Sequence, residues 1–224
     1  MTISANSSIT LKRNRATQGA GKRSRVSVPR ERILNAAARL FRERGYQRTT
    51  VRDIASAVGI LSGSLFHHFR SKEEMLLEIM RTAAITVCIR AEELASRKAP
   101  PLEQLRALIQ LELGCVVGEP TTDYHGVLFF EWREVPKLAR PELTALRSRY
   151  RRTWRAVLDA CARDGSLRCQ PDAAVHVLHG AIMGAMNWFK PSGRYSLEEY
   201  GDILVTMMRS QTPSLDARST VSVV

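Results

Sequence analysis

Short polar and basic side chains are concentrated in residues 50–72, and their chemistry suits hydrogen bonding to a polyanion. Hydroxyl, imidazole and cationic groups donate to phosphate oxygens and to base edges, and glycine lets a backbone approach closely. The candidate contacts are Thr50, Arg52, Ser62, Gly63, Ser64, Phe66, His67, His68 and Lys72. Within this set, Arg52 and Lys72 suit phosphates. The candidates for facing bases are Ser62, Ser64 and His67.

Two short helices joined by a tight turn must position these side chains. Thr50 is a good N-cap with Asp53 three residues on, Gly59 can end the first helix, and Ser62 can cap the second. The inward-facing positions are Val51, Ile54, Ala55, Val58, Leu65 and Phe69. This pattern predicts a helix-turn-helix over residues 50–69, whose second helix enters a DNA major groove about 12 Å wide.

The segment from about residue 30 to residue 77 resembles the TetR family of transcriptional regulators without a gap. The residues that carry the resemblance are Ile33, Ala36, Ala37, Leu40, Phe41, Gly45, Tyr46, Thr49, Thr50, Val51, Ile54, Ala55, Val58, Gly59, Ser62, Gly63, Leu65, His68, Phe69, Lys72 and Leu76. Phe66 departs from the family's usual tyrosine and cannot donate a hydroxyl to a phosphate. Its expected role is packing against the DNA backbone or a thymine methyl.

Composition and charge agree with a nucleic-acid partner. The formal net charge is +12, and residues 1–80 hold 15 basic and 6 acidic side chains, which is 9 of that excess. The sequence contains neither an apolar run of about 18 residues nor the short apolar core of a signal peptide. The expectation is therefore a cytoplasmic protein without a membrane partner.

The pattern predicts an all-α chain in four parts. Residues 1–26 form a basic arm, 27–80 the DNA-binding head, 81–212 a helical body and 213–224 a loose tail. The arm is read as a disordered tail, as a segment that follows phosphates or the minor groove, or as both. The expected helices cover residues 29–44, 50–58, 62–69, 71–98, 102–117, 121–134, 141–162, 171–189 and 196–209, with capping boxes at Ser71/Glu74 and Ser196/Glu199.

Large amphipathic side chains in the body could line an effector pocket, although ordinary core packing explains each of them as well. The candidate pocket residues are His125, Phe129, Trp132, Arg151, Trp154, Met183, Asn187 and Trp188. Arg147, Arg151 and Arg155 recur at four-residue spacing, which fits either a solvated face or a site for an anionic ligand. The chain is similar to a TetR subgroup that senses acyl-CoA thioesters, which makes such a thioester a possible effector.

Small residues near the C-terminus point to a helical homodimer. Gly180 and Gly184 are four residues apart, a spacing that lets helix backbones approach closely. The candidate interface is Val175, Gly180, Met183, Gly184, Ile203 and Met207. The resemblance implies a four-helix bundle between two copies, and two heads about 34 Å apart would read a palindromic operator. The alternative is that these glycines serve close packing within one chain.

Enzymatic chemistry is not indicated. The sequence has no phosphate loop, nucleophile elbow or paired-carboxylate signature, and no cofactor is expected. His176 and His179 lack an acidic partner at metal-ligand spacing. The scattered cysteines are expected to be buried apolar side chains, and they are Cys88, Cys115, Cys161 and Cys169. The expected function is a homodimeric repressor released by a small molecule. The alternatives are an activator or ligand-independent regulator of the same fold, and a basic membrane-surface or RNA-binding protein.

Overall fold

A computed structural model describes residues 28–118 and 122–209, and this part of the chain is built from helices, which confirms the predicted all-α fold. The helices are α1 (Arg30–Arg44), α2 (Val51–Val58), α3 (Ser62–Leu65), α4 (Lys72–Ala95), α5 (Pro101–Val117), α6 (Thr122–Phe130), a 3-10 helix (Trp132–Glu134), α7 (Arg140–Arg163), α8 (Pro171–Ala185) and α9 (Leu197–Met208). The predicted arm 1–26 and tail 213–224 lie outside the described residues. No helix within the described ranges is long and apolar enough to cross a membrane.

The head consists of α1, α2 and α3 packed on the first turns of α4. The side chains of Ile33, Phe41, Ile54 and Leu65 are fully buried here. Gly59 ends α2 with φ 75°, a left-handed conformation that a side chain would strain. Helix α3 is a single turn, shorter than predicted, and hydrogen-bonded turns extend it as far as residue 69.

Capping explains where the head helices begin. The predicted box at Thr50 is present, because the Thr50 hydroxyl accepts from the Asp53 N–H and the Asp53 carboxylate accepts from the Thr50 N–H. Ser62 was expected to cap α3, but Leu61 occupies the N-cap position and no side chain caps this helix.

The predicted capping box at the start of α4 is only half formed. The Ser71 hydroxyl accepts from the Glu74 N–H at 3.1 Å, as expected. The Glu74 carboxylate, however, accepts from the Arg70 N–H at 2.6 Å instead of from the N-cap residue. At α9 the box is complete, with Ser196 and Glu199 exchanging both bonds.

The head does not have a core of its own. Buried residues of α6, the 3-10 region and α7 belong to the same apolar cluster as the head, namely Val127, Val135 and Leu143. A second cluster joins α5, α7, α8 and α9 around the fully buried Trp154. Helix α4 runs unbroken from the head into the body, so it crosses the predicted boundary at residue 80.

The predicted helix over 121–134 is two elements. Helix α6 ends at Phe130, and the 3-10 helix Trp132–Glu134 follows before the extended residue Val135 and Pro136. The residue before a proline is disfavoured in helical conformation, which accounts for the extended Val135 and for the end of the 3-10 helix at Glu134. This break matters because it places Glu131, Trp132 and Glu134 between the body and the head.

Candidate nucleic-acid interface and ligand cavity

Most of the predicted DNA-contact residues lie on or directly beside the short helix α3. Leu65 and Phe69 anchor α3 in the core, with at most 1% of either residue exposed. The intervening and flanking positions are accessible, and they are Ser62, Gly63, Ser64, Phe66, His67 and His68. The short helix therefore presents small and polar side chains outward, which suits entry into a groove. Contact with DNA remains a prediction for each of these residues.

Two exposed apolar side chains flank the outward face of α3. Phe66 is 54% exposed and Leu61 is 72% exposed. Large apolar groups on the surface often mark a binding site, and a thymine methyl is an apolar feature of the major groove. Sequence reasoning missed Leu61, although an apolar residue just before the helix start was a visible signal.

Thr50 is committed to its own helix. Its hydroxyl donates to Asp53 Oδ2 at 2.6 Å while accepting from the Asp53 N–H at 3.2 Å. The bonds that the Thr50 hydroxyl and the Thr50 N–H donate to the Asp53 carboxylate lower the pKa of that carboxyl. The Thr50 hydroxyl is therefore not free to donate to a phosphate. A phosphate near Thr50 would instead bind at the amino end of α2, beside the exposed Arg52.

Lys72 has a structural task that the sequence did not indicate. Its ammonium donates to the carbonyl oxygens of Tyr46 and Thr49, at 2.7 and 2.8 Å, and lies 4.0 Å from the centre of the Tyr46 ring. Partial burial lowers the pKa of Lys72. The side chain thus ties the loop before α2 to the start of α4. A lysine ammonium has three donors, so one remains for a phosphate.

The body contains a cavity of about 380 Å³ bordered by α4 to α8 and the 3-10 helix. Its walls are mostly apolar, with Leu128, Phe129, Leu143, Leu146 and Met183 among them. A volume of this size falls within the range of small-molecule sites. The cavity therefore supplies the space that a ligand-controlled protein needs.

The structure brings some of the predicted pocket residues together and separates others. Those that line the cavity are His125, Phe129, Trp132, Arg151 and Met183. The remaining three are corrected. Trp154 is fully buried in the second core and stands behind the wall, with its ring 4.9 Å from that of His179. Asn187 and Trp188 follow the end of α8 on the surface, where Trp188 packs edge-on against Tyr200.

Three residues that the pocket prediction omitted form a polar cluster in the wall. Glu112 on α5 is only 4% exposed, and its Oε2 accepts a hydrogen bond from the Tyr150 hydroxyl at 3.1 Å. His179 Nε2 lies 3.3 Å from the same oxygen. Glu112 could have been found from the sequence, because it falls on the inward stripe of α5 with Leu105, Leu108 and Ile109.

Burial moves both ionisable members of this cluster towards their neutral forms. It raises the pKa of Glu112 to about 7. Burial and, after it, the positive charges of Arg151, His176 and Arg147 together lower the pKa of His179 to about 4. The contact between them is therefore not a conventional salt bridge. Both shifts favour the neutral form, so the imidazole is uncharged at neutral pH and the carboxyl keeps its proton to a higher pH than an exposed glutamate does.

Two arginines at the cavity have no carboxylate partner among the described residues. Arg147 and Arg151 are exposed and border the cavity, whereas Arg149 forms a bidentate pair with Glu92 at 2.5 and 2.6 Å. Arg155 is held by Asp159 and Asp172. Of the three arginines at four-residue spacing, Arg155 is paired with carboxylates, whereas Arg147 and Arg151 are available to an anion.

Some of the predicted dimer residues border the cavity and others lie on the surface. Val175 is only 6% exposed and borders the cavity, so it is corrected to a wall residue, and the half-buried Met183 also borders the cavity. Gly180 and Gly184 face open space, because a Cβ atom added to either would meet nothing within 4 Å. The apolar side chains exposed on α8, just beyond it and on α9 are Val177, Trp188, Ile203 and Met207.

The four cysteines are free thiols, and Cys88, Cys115 and Cys161 are buried as expected. Cys169 is half-buried. No cluster of three or more potential metal ligands occurs within residues 28–118 and 122–209.

Comparison with known proteins identifies the two parts of the chain. Residues 33–79 match the model of bacterial regulatory proteins of the tetR family, and residues 98–212 match that of the tetracyclin repressor-like C-terminal domain. The HTH-type transcriptional repressor KstR2 of Rhodococcus jostii is 35% identical over 175 residues, which cover 75% of this chain and 83% of the repressor.

Solved structures show the same architecture. The ketosteroid transcriptional regulator KstR2 of Mycobacterium tuberculosis superposes with a TM-score of 0.72 at 28% identity, covering 83% of this chain and 97% of that one. AibR in complex with isovaleryl coenzyme A and operator DNA gives a TM-score of 0.73 at 26% identity, covering 80% and 97%. With head, body and both sequence matches in agreement, the chain belongs to the TetR family of bacterial helix-turn-helix transcriptional regulators.

Proposed function

We propose that this protein is a homodimeric, non-enzymatic repressor that acts in the cytoplasm and leaves a palindromic operator when a coenzyme A thioester enters the cavity. The observation that carries the proposal is the position of Arg147 and Arg151, two guanidinium groups without a carboxylate partner among the described residues, at the edge of a mostly apolar space. Arginine binds phosphates in bidentate fashion, and an apolar cavity suits an acyl group. The relative AibR was solved with such a thioester and with operator DNA.

A route from the cavity to the head supports control by a ligand. Ala84 and Cys88 of α4 border the cavity, while Lys72 at the start of the same helix holds the loop before α2. Cys88 follows Lys72 by 16 positions, which correspond to about 24 Å of helix. A ligand that binds one position of α4 better than another would shift the head accordingly.

A second route passes through the break after α6. Trp132 borders the cavity, and its neighbour Glu131 accepts a hydrogen bond from the Tyr46 N–H at 3.2 Å. Glu134, on the same 3-10 helix, accepts from the Gln47 side chain. Movement of Trp132 by a ligand would therefore act directly on the loop that precedes the helix-turn-helix.

The open glycine face supports dimerisation through α8 and α9. Close packing within the chain does not explain Gly180 and Gly184, because their Cα atoms face open space. Val177 on α8 and Ile203 and Met207 on α9 are exposed apolar side chains. A second copy approaching this face would bury them and place two heads for paired half-sites.

The proposal is tested by fluorescence anisotropy on a palindromic duplex that the protein selects from a random DNA library, with acyl-CoA thioesters and free coenzyme A added in parallel. We expect at least one thioester to lower operator affinity about tenfold or more, and free coenzyme A to have a smaller effect. Arg147→Ala and Arg151→Ala should reduce this response without changing operator affinity in the absence of ligand. Operator binding that is unaffected by every thioester would refute this choice of effector.

A further inference from the structure

The cluster of Glu112, Tyr150 and His179 places hydrogen-bonding groups in the cavity wall, and a plain hydrocarbon acyl chain could not pair with them. Glu112 Oε2 accepts a hydrogen bond from the Tyr150 hydroxyl and lies 3.3 Å from His179 Nε2, so both of these contacts are made by Oε2 and leave Oε1 to a ligand. His179 Nε2 is buried and makes no hydrogen bond with the described residues. Buried polar atoms are costly unless they are paired, so the cluster is incomplete without a further partner.

We propose that Glu112 and His179 recognise an oxygen substituent, a hydroxyl or a keto group, on the acyl part of the effector. This inference rests on the proposed function, because it assigns the acyl half of the same thioester. Tyr150 acts as a positioning residue, since its hydroxyl holds Glu112 Oε2 and leaves Oε1 for the ligand. The cluster therefore binds acyl groups that carry an oxygen substituent more tightly than hydrocarbon acyl groups of the same size.

The surrounding charges decide which polar group fits. Arg147, Arg151 and His176 border the same cavity, so a ligand ammonium would enter a region of positive potential. A protonated carboxyl can donate to a ketone, and a carboxylate or a neutral imidazole can accept from a hydroxyl. A hydroxyl can therefore pair with Glu112 in either protonation state, whereas a ketone pairs with the protonated carboxyl.

His179 is held in place by aromatic neighbours. Its ring stands edge-on to that of Trp154 at 4.9 Å and lies 6.2 Å from the ring of Tyr150. These contacts restrict the imidazole to one orientation near Glu112, so the recognition site is preorganised before a ligand arrives.

The test uses thioesters that differ by a single oxygen. Affinities of cyclohexanecarbonyl-CoA and of its 4-hydroxy and 4-oxo derivatives are measured by calorimetry on the full-length protein. We expect the wild type to bind an oxygenated member about tenfold or more tightly than the parent, because a site built for a hydrogen bond rejects an analogue that lacks it. Glu112→Leu should reduce this preference to less than about threefold, whereas Glu112→Gln should keep most of it.

Two further variants separate recognition from general damage. Tyr150→Phe removes only the positioning hydroxyl and should lower the preference part of the way. Cys115→Ala changes a different wall residue of α5 and should alter all the thioesters alike. If Glu112→Leu folds poorly, Tyr150→Phe and Glu112→Gln still decide the question.

The outcomes distinguish the two proposals. If thioesters release the operator but the wild type shows no oxygen preference, or Glu112→Leu retains it, the present inference is overturned and the proposed function stands. If no thioester binds, the proposed function fails. Ligand-observed NMR with cyclohexanol, cyclohexanone and cyclohexane then tests the polar end directly, and equal or absent binding of these compounds overturns the inference too.

Discussion

Glu112 combines deep burial with an ionisable group, and this makes the stability of the protein depend on pH. Its pKa is raised from 4.5 to about 7 in the folded chain. Between these values the unfolded chain releases the proton while the folded chain retains it, so stability falls as pH rises through this range. His179 acts at the other end, because its pKa is lowered to about 4 and stability is lost as pH falls from 6.5 towards that value.

Replacing Glu112 with glutamine should therefore stabilise the protein at alkaline but not at acidic pH. At pH 8 the gain over wild type should approach about 3 kcal/mol, the free energy that corresponds to the raised pKa, and at pH 4 it should be near zero. Chemical denaturation at fixed protein concentration measures the difference. Glu103→Gln, which alters an exposed carboxylate of α5, is the matched control. A gain that is equal at both pH values would mean that the carboxyl is not desolvated as described.

Lys72 should affect both folding and DNA binding. Lys72→Ala removes two hydrogen bonds to the head loop, which should lower the free energy of unfolding by about 1–2 kcal/mol. If the third donor meets a phosphate, binding should weaken for all sequences and the salt slope should fall by about one. Arg52→Ala, at an exposed position, should reduce the salt slope without the loss of stability. An unchanged slope in Lys72→Ala would leave this lysine with a structural role alone.

At the scale of elements, the helices were largely predictable from the chain, whereas the cavity was not. Thr50 with Asp53, Gly59 and Ser196 with Glu199 are local signals, since each cap involves residues at most four apart. The walls of the cavity come from six elements, so no spacing along the chain indicates that Glu112 faces His179. The same reason explains the error at Trp188, whose size suggested a pocket although α8 ends before it.

The proposed route from the cavity to the head through the 3-10 helix can be tested by substitution. The double variant Glu131→Ala, Glu134→Ala deletes the contacts to the loop before α2 without touching the cavity wall. We expect ligand affinity to change by less than about threefold, and the ligand-induced loss of operator affinity to shrink by about fivefold, a coupling energy of about 1 kcal/mol.

Operator anisotropy with and without thioester gives this coupling directly. Glu103→Ala serves as the control for the loss of an acidic side chain. An undiminished response in the double variant would assign the signal to α4 alone.

At the scale of the whole molecule, the glycine face makes a specific prediction about assembly. A Cβ added at position 180 meets nothing of its own chain within 4 Å, and a leucine there would obstruct a second copy. Gly180→Leu should therefore shift the protein from dimer to monomer and weaken operator binding about tenfold or more. Light scattering after size-exclusion chromatography measures the mass.

Gly114→Leu, in α5 and also open to space around its Cα, controls for the loss of a helical glycine. It should remain dimeric. A dimeric Gly180→Leu variant would move the interface away from this face.

The apolar cluster that joins Val127, Val135 and Leu143 to the head limits how this regulator can be recombined. In a fragment ending near residue 80, the apolar side chains of the head that pack against these three residues would be exposed to water. The fragment would therefore be less stable than the head of the full chain. Chimeric biosensors that exchange operator preference should therefore carry over the segment around residues 122–143 with the donor's amino-terminal helices, or redesign that seam so that both halves fit.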